Sequence, residues 1–183
     1  MFLNCQDYNI INTNTPVLTH KDNGQFKPTD CYFLEIHIKA DDETMEKIKI
    51  VCKPFVFDAG VRNVIAKHSS EHGNVQRLFL LAGPDIIKNN FQDSNDFLAF
   101  ALCDDGFKST EIQYFEVNYK FKHSYEPNQR YRRVGTSALN ALKQTYKTRE
   151  LYGESALEAL HFWLKNGFTR TDETGLHLHW NQR

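Results

Sequence analysis

Apolar and polar residues alternate along 31–40, CYFLEIHIKA: Tyr32, Leu34, Ile36 and Ile38 fall on one face, Glu35, His37 and Lys39 on the other. A period of two belongs to a strand with one wet face. DDET then reads as a turn and KIKIVCKPFVF as a second strand, held to an edge by Pro54, so that the two form an antiparallel hairpin. Asp58 is placed to cap a helix from Ala59 to Glu71, with Val61, Val64 and Ile65 on its apolar side and Gly73 at its end. VQRLFLLA is a short apolar strand, GPDIIKNNFQDS a turn with a short helix, and DFLAFALC a buried strand ended by the turn residues Asp104 and Asp105. EIQYFEVNYKFKH reads as one long strand over 111–122. Phe115, Val117, Tyr119 and Phe121 share one face; Ile112, Tyr114, Glu116 and Asn118 share the other.

The pattern changes to a period of 3.6 after residue 133. Ala138, Leu139, Leu142 and Tyr146 keep helical spacing to about Lys147. RELYG is a short strand. SALEALHFWLKNGF is a second helix, with Ser155 and Glu158 as a capping box and Gly167 at the C-terminal cap. GLHLHW closes the chain as an alternating strand. Residues 1–30, rich in Asn, Thr and Asp, read as a loosely ordered N-terminal arm before a single domain over 31–183. The resulting fold class is mixed α/β (α+β): a mostly antiparallel central sheet flanked by helices.

Composition narrows the function classes. At 183 residues the chain is long enough for one domain with a substantial core. A net charge of -1 leaves no global field toward nucleic acid or an anionic membrane, so any basic site is local. No apolar run approaches the roughly 18 residues of a membrane helix. The polar N-terminus lacks the basic-then-apolar order of a signal peptide. Cys5, Cys31, Cys52 and Cys103 have no CxxC spacing and read as reduced structural thiols, so a cytoplasmic location is expected. His177 and His179 share a strand face but have no third ligand at suitable spacing, and no metal is expected.

The local basic site is RYRRVGTSALNALK, 130–143. Arg130, Arg132 and Arg133 precede Gly135, small Thr136 and Ser137 follow, and a helix begins. Free N–H groups at a helix start bind anions, glycine admits a ligand to the backbone, and arginine adds charge-assisted bonds to phosphate oxygens. A solvated basic loop is the alternative. The preceding YFEVNYKFKHSYEPNQRYRR interleaves rings and positive charge, as single-stranded nucleic-acid binders do.

Arg132-Arg133-Val134-Gly135-Thr136-Ser137 resembles the Q/R-x-x-G-x-G/A signature of the GNAT superfamily of N-acetyltransferases. A second stretch, ALHFWLKNGF, is similar to that family's later A-x-x-F-Y-x-K-x-G-F helix, with Ala159, Phe162, Lys165, Gly167 and Phe168 in register. The resemblance covers about 111–170. It implies that the loop Arg130, Arg132, Arg133, Val134, Gly135, Thr136 and Ser137 binds the pyrophosphate of acetyl-coenzyme A (acetyl-CoA). The pantetheine arm then lies beside the preceding strand, along Val117 and Tyr119, where that strand splays from its neighbour; Phe162 and Lys165 join the cofactor site. It further implies direct attack of an amine on the thioester, with a carboxylate to neutralise the ammonium and a tyrosine to protonate the thiolate. Glu116 is the candidate base and Glu111 a second. Trp163 stands where the family's tyrosine usually stands, so Tyr152 becomes the candidate acid. Ser137 replaces the second small residue of the signature, and HSYEPNQRY makes a longer strand-to-loop connection than usual. The expected function is an acetyl-CoA-dependent N-acetyltransferase whose acceptor amine is a small molecule, a protein N-terminus, a lysine or an aminoacyl-tRNA. A membrane partner is not expected, nucleic acid only as such a tRNA-linked substrate, and a homodimer is compatible. The alternatives are a non-catalytic CoA-binding regulator and an RNA-binding module over 114–133.

Overall fold

Strand-forming residues in the first half and two apolar helical stripes in the second build one large sheet, with the two helices of the second half on one face. The computed structural model describes Leu3, residues 6–11, 17–20, 25–37, Glu43, Glu46, Phe55 and residues 75–92, 96–121, 130–173 and 176–181. The strands are β1 (Tyr8–Ile11), β2 (Val17–His20), β3 (Phe26–Thr29), β4 (Tyr32–Ile36), β5 (Val75–Ala82), β6 (Phe97–Asp105), β7 (Ser109–Val117), β8 (Tyr131–Arg132), β9 (Glu150–Glu154), β10 (Thr169–Arg170) and β11 (His177–Trp180). Helix α1 spans Val134–Thr145 and α2 spans Leu160–Lys165. The main sheet runs β1-β4-β5-β6-β7-β9-β11-β10, and β3-β2-β8 form a second, three-stranded sheet. Every pairing in both sheets is antiparallel except β7 with β9. The expected mixed, mostly antiparallel α/β fold is the observed one.

Two apolar clusters cover the two faces. On one, Phe79, Leu81, Ala101, Cys103, Ile112 and Leu151 meet Val134, Ala138, Leu139, Ala141 and Leu142 of α1 and Trp163 of α2. On the other, Leu34, Ile36, Leu78, Leu80, Phe100 and Leu102 meet Leu3, Phe55, Ile86 and Phe91. A strand buried on both faces loses its wet side, and this corrects the reading of 31–40. Phe33 stacks on Phe79 at 5.4 Å, and Glu35 takes both arms of the Arg77 guanidinium at 2.6 and 2.9 Å. Both edges of β4 are occupied, by β1 and β5, so it has none for the expected hairpin with 47–57. That segment, apart from Phe55, and the expected helix over 59–71 lie outside the described residues. Three strands, β1, β2 and β3, fall within residues 1–30, and Leu3 is buried in the second cluster.

Further expectations are corrected. Asp104 and Asp105 end β6 rather than forming a turn; Asp105 lies 3.5 Å from Arg77 and 3.7 Å from Arg149 and accepts the Thr110 hydroxyl. The long strand is β7, which starts at Ser109 and stops at Val117, not near 122. A register shift opposite Leu102 and Cys103 leaves Gln113 unpaired, a bulge that reverses the alternation. Ile112 therefore joins Phe115 and Val117 on the α1 face, away from Tyr114. The second helix is shorter than expected: a 3₁₀ turn over Leu157–Ala159 leads into α2. No capping box forms, because the Ser155 hydroxyl donates to the Ala156 carbonyl and its backbone N–H to Leu176. Gly167, at φ 81°, does occupy the position after the cap.

Candidate active site

Asn118 decides where β7 ends. Fully buried, it donates from Nδ2 to the Phe97 carbonyl at 2.8 Å and accepts the Lys120 N–H on Oδ1 at 3.1 Å. Its own carbonyl accepts the Phe121 N–H at 2.8 Å. The chain is thus drawn out of the sheet into a 3₁₀ turn over Tyr119–Phe121. Tyr119 is consequently exposed and off the strand, its ring 5.9 Å from the Lys120 ammonium. Residues 122–129, within the longer connection, lie outside the described residues.

The chain returns as β8, where Tyr131 pairs with Thr19 and Arg132 with Leu18. Arg133 then takes the left-handed conformation, φ 57°, at the N-cap of α1 and offers no side-chain cap. That conformation is costly for a residue with a Cβ, and such strain concentrates where chains clamp ligands. The first intrahelical bond runs from the Ser137 N–H to the Arg133 carbonyl at 2.9 Å. The N–H groups of Val134, Gly135 and Thr136 precede it and have no acceptor within the helix. Val134 and Ser137 are buried, Thr136 half-buried. At Gly135 a Cβ would stand 3.1 Å from both Val117 Cγ2 and Phe162 Cε2. This glycine sets the helix start tight against the end of β7 and the first turn of α2.

The three arginines diverge. Arg130 faces Asp85 at 3.3 Å and the buried Asp96 at 3.7 Å, across the β5–β6 connection. Arg132 lies with its guanidinium 3.6 Å over the Phe26 ring of β3. Arg133 is exposed at the helix start, and among the described residues no hydrogen bond or ion pair engages its side chain. Sequence reasoning missed Phe26: nothing in its local pattern marks it, because it reaches the loop only through the β3–β2 and β2–β8 pairings.

β7 and β9 pair in parallel over four rungs, Ser109–Ile112 with Glu150–Gly153, and then part. The last rung is close: a Cβ on Gly153 would stand 2.8 Å from the Ile112 carbonyl oxygen. A glycine inside a strand pattern was the available signal for this approach. At the parting, Ile112, Gly153, Glu154, Trp163, Phe168 and Leu178 line a cleft. Trp163 is packed by Phe115 at 5.3 Å, Phe162 at 5.5 Å and Phe168 at 5.0 Å. Phe162 also stacks on Phe115 at 5.8 Å, while Lys165 is exposed in the last turn of α2.

The opposite face of the parting is polar. Asp104, Glu111, Tyr152 and His179 align across β6, β7, β9 and β11, and Gln113 reaches Asp104 at 3.4 Å. Glu116, opposite Phe100, and Tyr114, opposite Leu102, face this same side. Tyr152 is half-exposed, and burial together with Glu111 and Asp104 raises its pKa, which keeps the phenol protonated. His177 and His179 lie 3.6 Å from Asp172 and Glu150 respectively. The two strand ends therefore carry a cationic, amide-rich helix start on one side and a row of carboxylates and a phenol on the other.

Among the described residues no helix is long and apolar enough to cross a membrane. No protein-family model and no curated protein sequence matches the chain. Among solved structures it is similar to that of AtaTR bound with AcCoA, with a TM-score of 0.41 and 12% identity over 67% of this chain and 79% of that one. It is also similar to Escherichia coli ElaA, with a TM-score of 0.44 and 12% identity over 82% of this chain and 97% of that one.

Proposed function

We propose that this protein is an acetyl-CoA-dependent N-acetyltransferase of the GNAT type. One observation carries the reading: the R-R-V-G-T-S signature stands at an uncapped helix start packed directly against the end of β7, on the stretch of β7 that runs free of β9 beyond their last shared rung. An uncapped first turn supplies aimed N–H donors to a pyrophosphate, and Arg133, with Arg132 beside it, adds charge. A gap between parallel strands gives an extended thiol arm backbone groups to bond.

In this reading the acetyl thioester lies in the parting and the amine arrives from the polar face. The amine must be neutral to attack the carbonyl. Glu116 accepts the ammonium proton through water, with Glu111 on the same face to hold a cationic acceptor. The bond from nitrogen to the acetyl carbon forms, the carbon–sulfur bond breaks, the nitrogen gives its surplus proton to water, and the thiolate takes a proton. Tyr152, next to the last rung and kept protonated, is the group to give it. Trp163 lies on the other face and has no acidic proton to offer. Holding both reactants at one gap supplies much of the rate. That substitution also supports a second reading, a coenzyme binder without turnover, which turnover of any amine in an acceptor screen removes.

Calorimetric titration with acetyl-CoA, beside its dephospho analogue, tests the first step. Micromolar binding that is lost in Gly135→Asp, with the circular dichroism spectrum unchanged, is the expected result: a side chain at 135 is pressed against Val117 and Phe162, which shifts the helix start and its N–H donors, and its carboxylate repels the phosphates. No binding at millimolar cofactor removes the reading.

A further inference from the structure

The cleft at the parting has an apolar wall that the chemistry above does not use. Ile112, Gly153, Phe168 and Leu178 ring a recess beneath α2, Glu154 stands at its rim, and the Trp163 indole fills it. What stays open is room for roughly one water molecule. The indole is 8% exposed and locked by three edge-on aromatic contacts, from Phe115, Phe162 and Phe168, so displacing it breaks all three. Gly153 makes the recess shallower still, because β9 lies against the Ile112 carbonyl at that point.

We propose that Trp163 is a selectivity wall that restricts the donor to an acetyl thioester and excludes longer acyl groups. The proposal rests on the transferase reading and deepens it at the same site. An acyl chain in the parting has two directions to grow. Toward the polar face it would bury methylenes against Glu111, Gln113, Glu116 and Tyr152 and obstruct the amine. Toward α2 lies the apolar recess, the favourable direction for a chain, and the indole occupies it. The position where the resembling family keeps a tyrosine thus serves size selection here. Opening the recess should add affinity of about fourfold for each methylene it takes in.

The test is calorimetric titration of the wild-type protein, Trp163→Leu and Trp163→Ala with free coenzyme A and its acetyl, butyryl and hexanoyl thioesters. The wild type is expected to bind acetyl-CoA about tenfold or more tightly than hexanoyl-CoA, the scale on which packed pockets reject added methylenes. Trp163→Ala is expected to bring hexanoyl-CoA level with acetyl-CoA or beyond it. Trp163→Leu, which keeps an apolar side chain in the core, is expected to admit butyryl-CoA but not hexanoyl-CoA. A wild type that takes all three thioesters equally overturns the proposal, as does an unchanged ratio in the folded variants. In both cases free coenzyme A still binds, and the transferase reading survives. Failure of free coenzyme A and of every thioester to bind the wild type overturns the reading and this proposal together.

Discussion

Gly153→Ala isolates the close approach at the last rung between β7 and β9. Gly153 does not need a left-handed backbone, so alanine meets no conformational penalty there. Its methyl meets a carbonyl instead, 2.8 Å away, where ordinary contact begins at 3.4 Å. The obstacle is the backbone of β7, which cannot rotate aside as a side-chain tip can. The strands must separate by several tenths of an ångström, and overpacking of this kind costs about 1–3 kcal/mol. Against it stands the loss of unfolded-chain freedom, which favours alanine by about 0.4–1 kcal/mol. The net is a destabilisation of about 1 kcal/mol. For a chain of this length that lowers the melting temperature by about 2–4 °C, read by circular dichroism at matched protein concentration. An unchanged or raised melting temperature would refute the contact, and with it the account of why the strands part where they do.

Two further outcomes follow from other contacts. Burial lowers the Lys143 ammonium from 10.5 to about 8, although its Nζ donates to the Asn166 carbonyl and lies 5.1 and 4.8 Å from the Phe168 and Trp180 rings. Between about pH 8 and 10.5 the unfolded chain keeps a proton at Lys143 that the folded chain has released, so the Lys143 contribution to stability rises with pH across that window, against the opposing contribution of the Cys103 thiol, which burial pushes up. Urea melts should show a stability difference, wild type minus Lys143→Met, that grows with pH across this window. Phe26→Ala removes the ring beneath Arg132, a contact of about 0.5–1 kcal/mol, and should weaken acetyl-CoA binding about two- to fivefold, with Phe26→Tyr retaining it. Equal affinities in the two variants would show that the N-terminal hairpin holds the fold and not the loop.

Where the local pattern agreed with burial, as an unbroken apolar run covered on both faces or as a helical stripe covered on one, it was enough. VQRLFLLA and DFLAFALC are strands, the 3.6 period after 133 is α1, and GLHLHW is the closing strand. Where two faces are buried, alternation no longer reports exposure: Glu35 looked wet and is paired with Arg77 of β5, on the face where Phe33 packs on Phe79. The β7 bulge was invisible because nothing within EIQYFEV differs from an unbroken strand; the extra residue is defined only against β6. For the same reason the arginines were legible as a basic loop but not as three groups with three different neighbours.

The order of residues alone determined a mixed sheet with two late helices, a glycine-bearing helix start with arginines before it, and an aromatic second helix. These depend on spacing and residue type within a turn or a strand. Tertiary structure alone decided that 1–30 contribute strands, that β8 carries Arg132 onto Phe26, that β7 and β9 part after the Gly153 rung, and that Glu116 and Tyr152 share the face opposite Trp163. Each of these joins segments far apart in the chain. Their placement depends on which strand edges are free and which side chains fill the space between layers, and no local window contains that information.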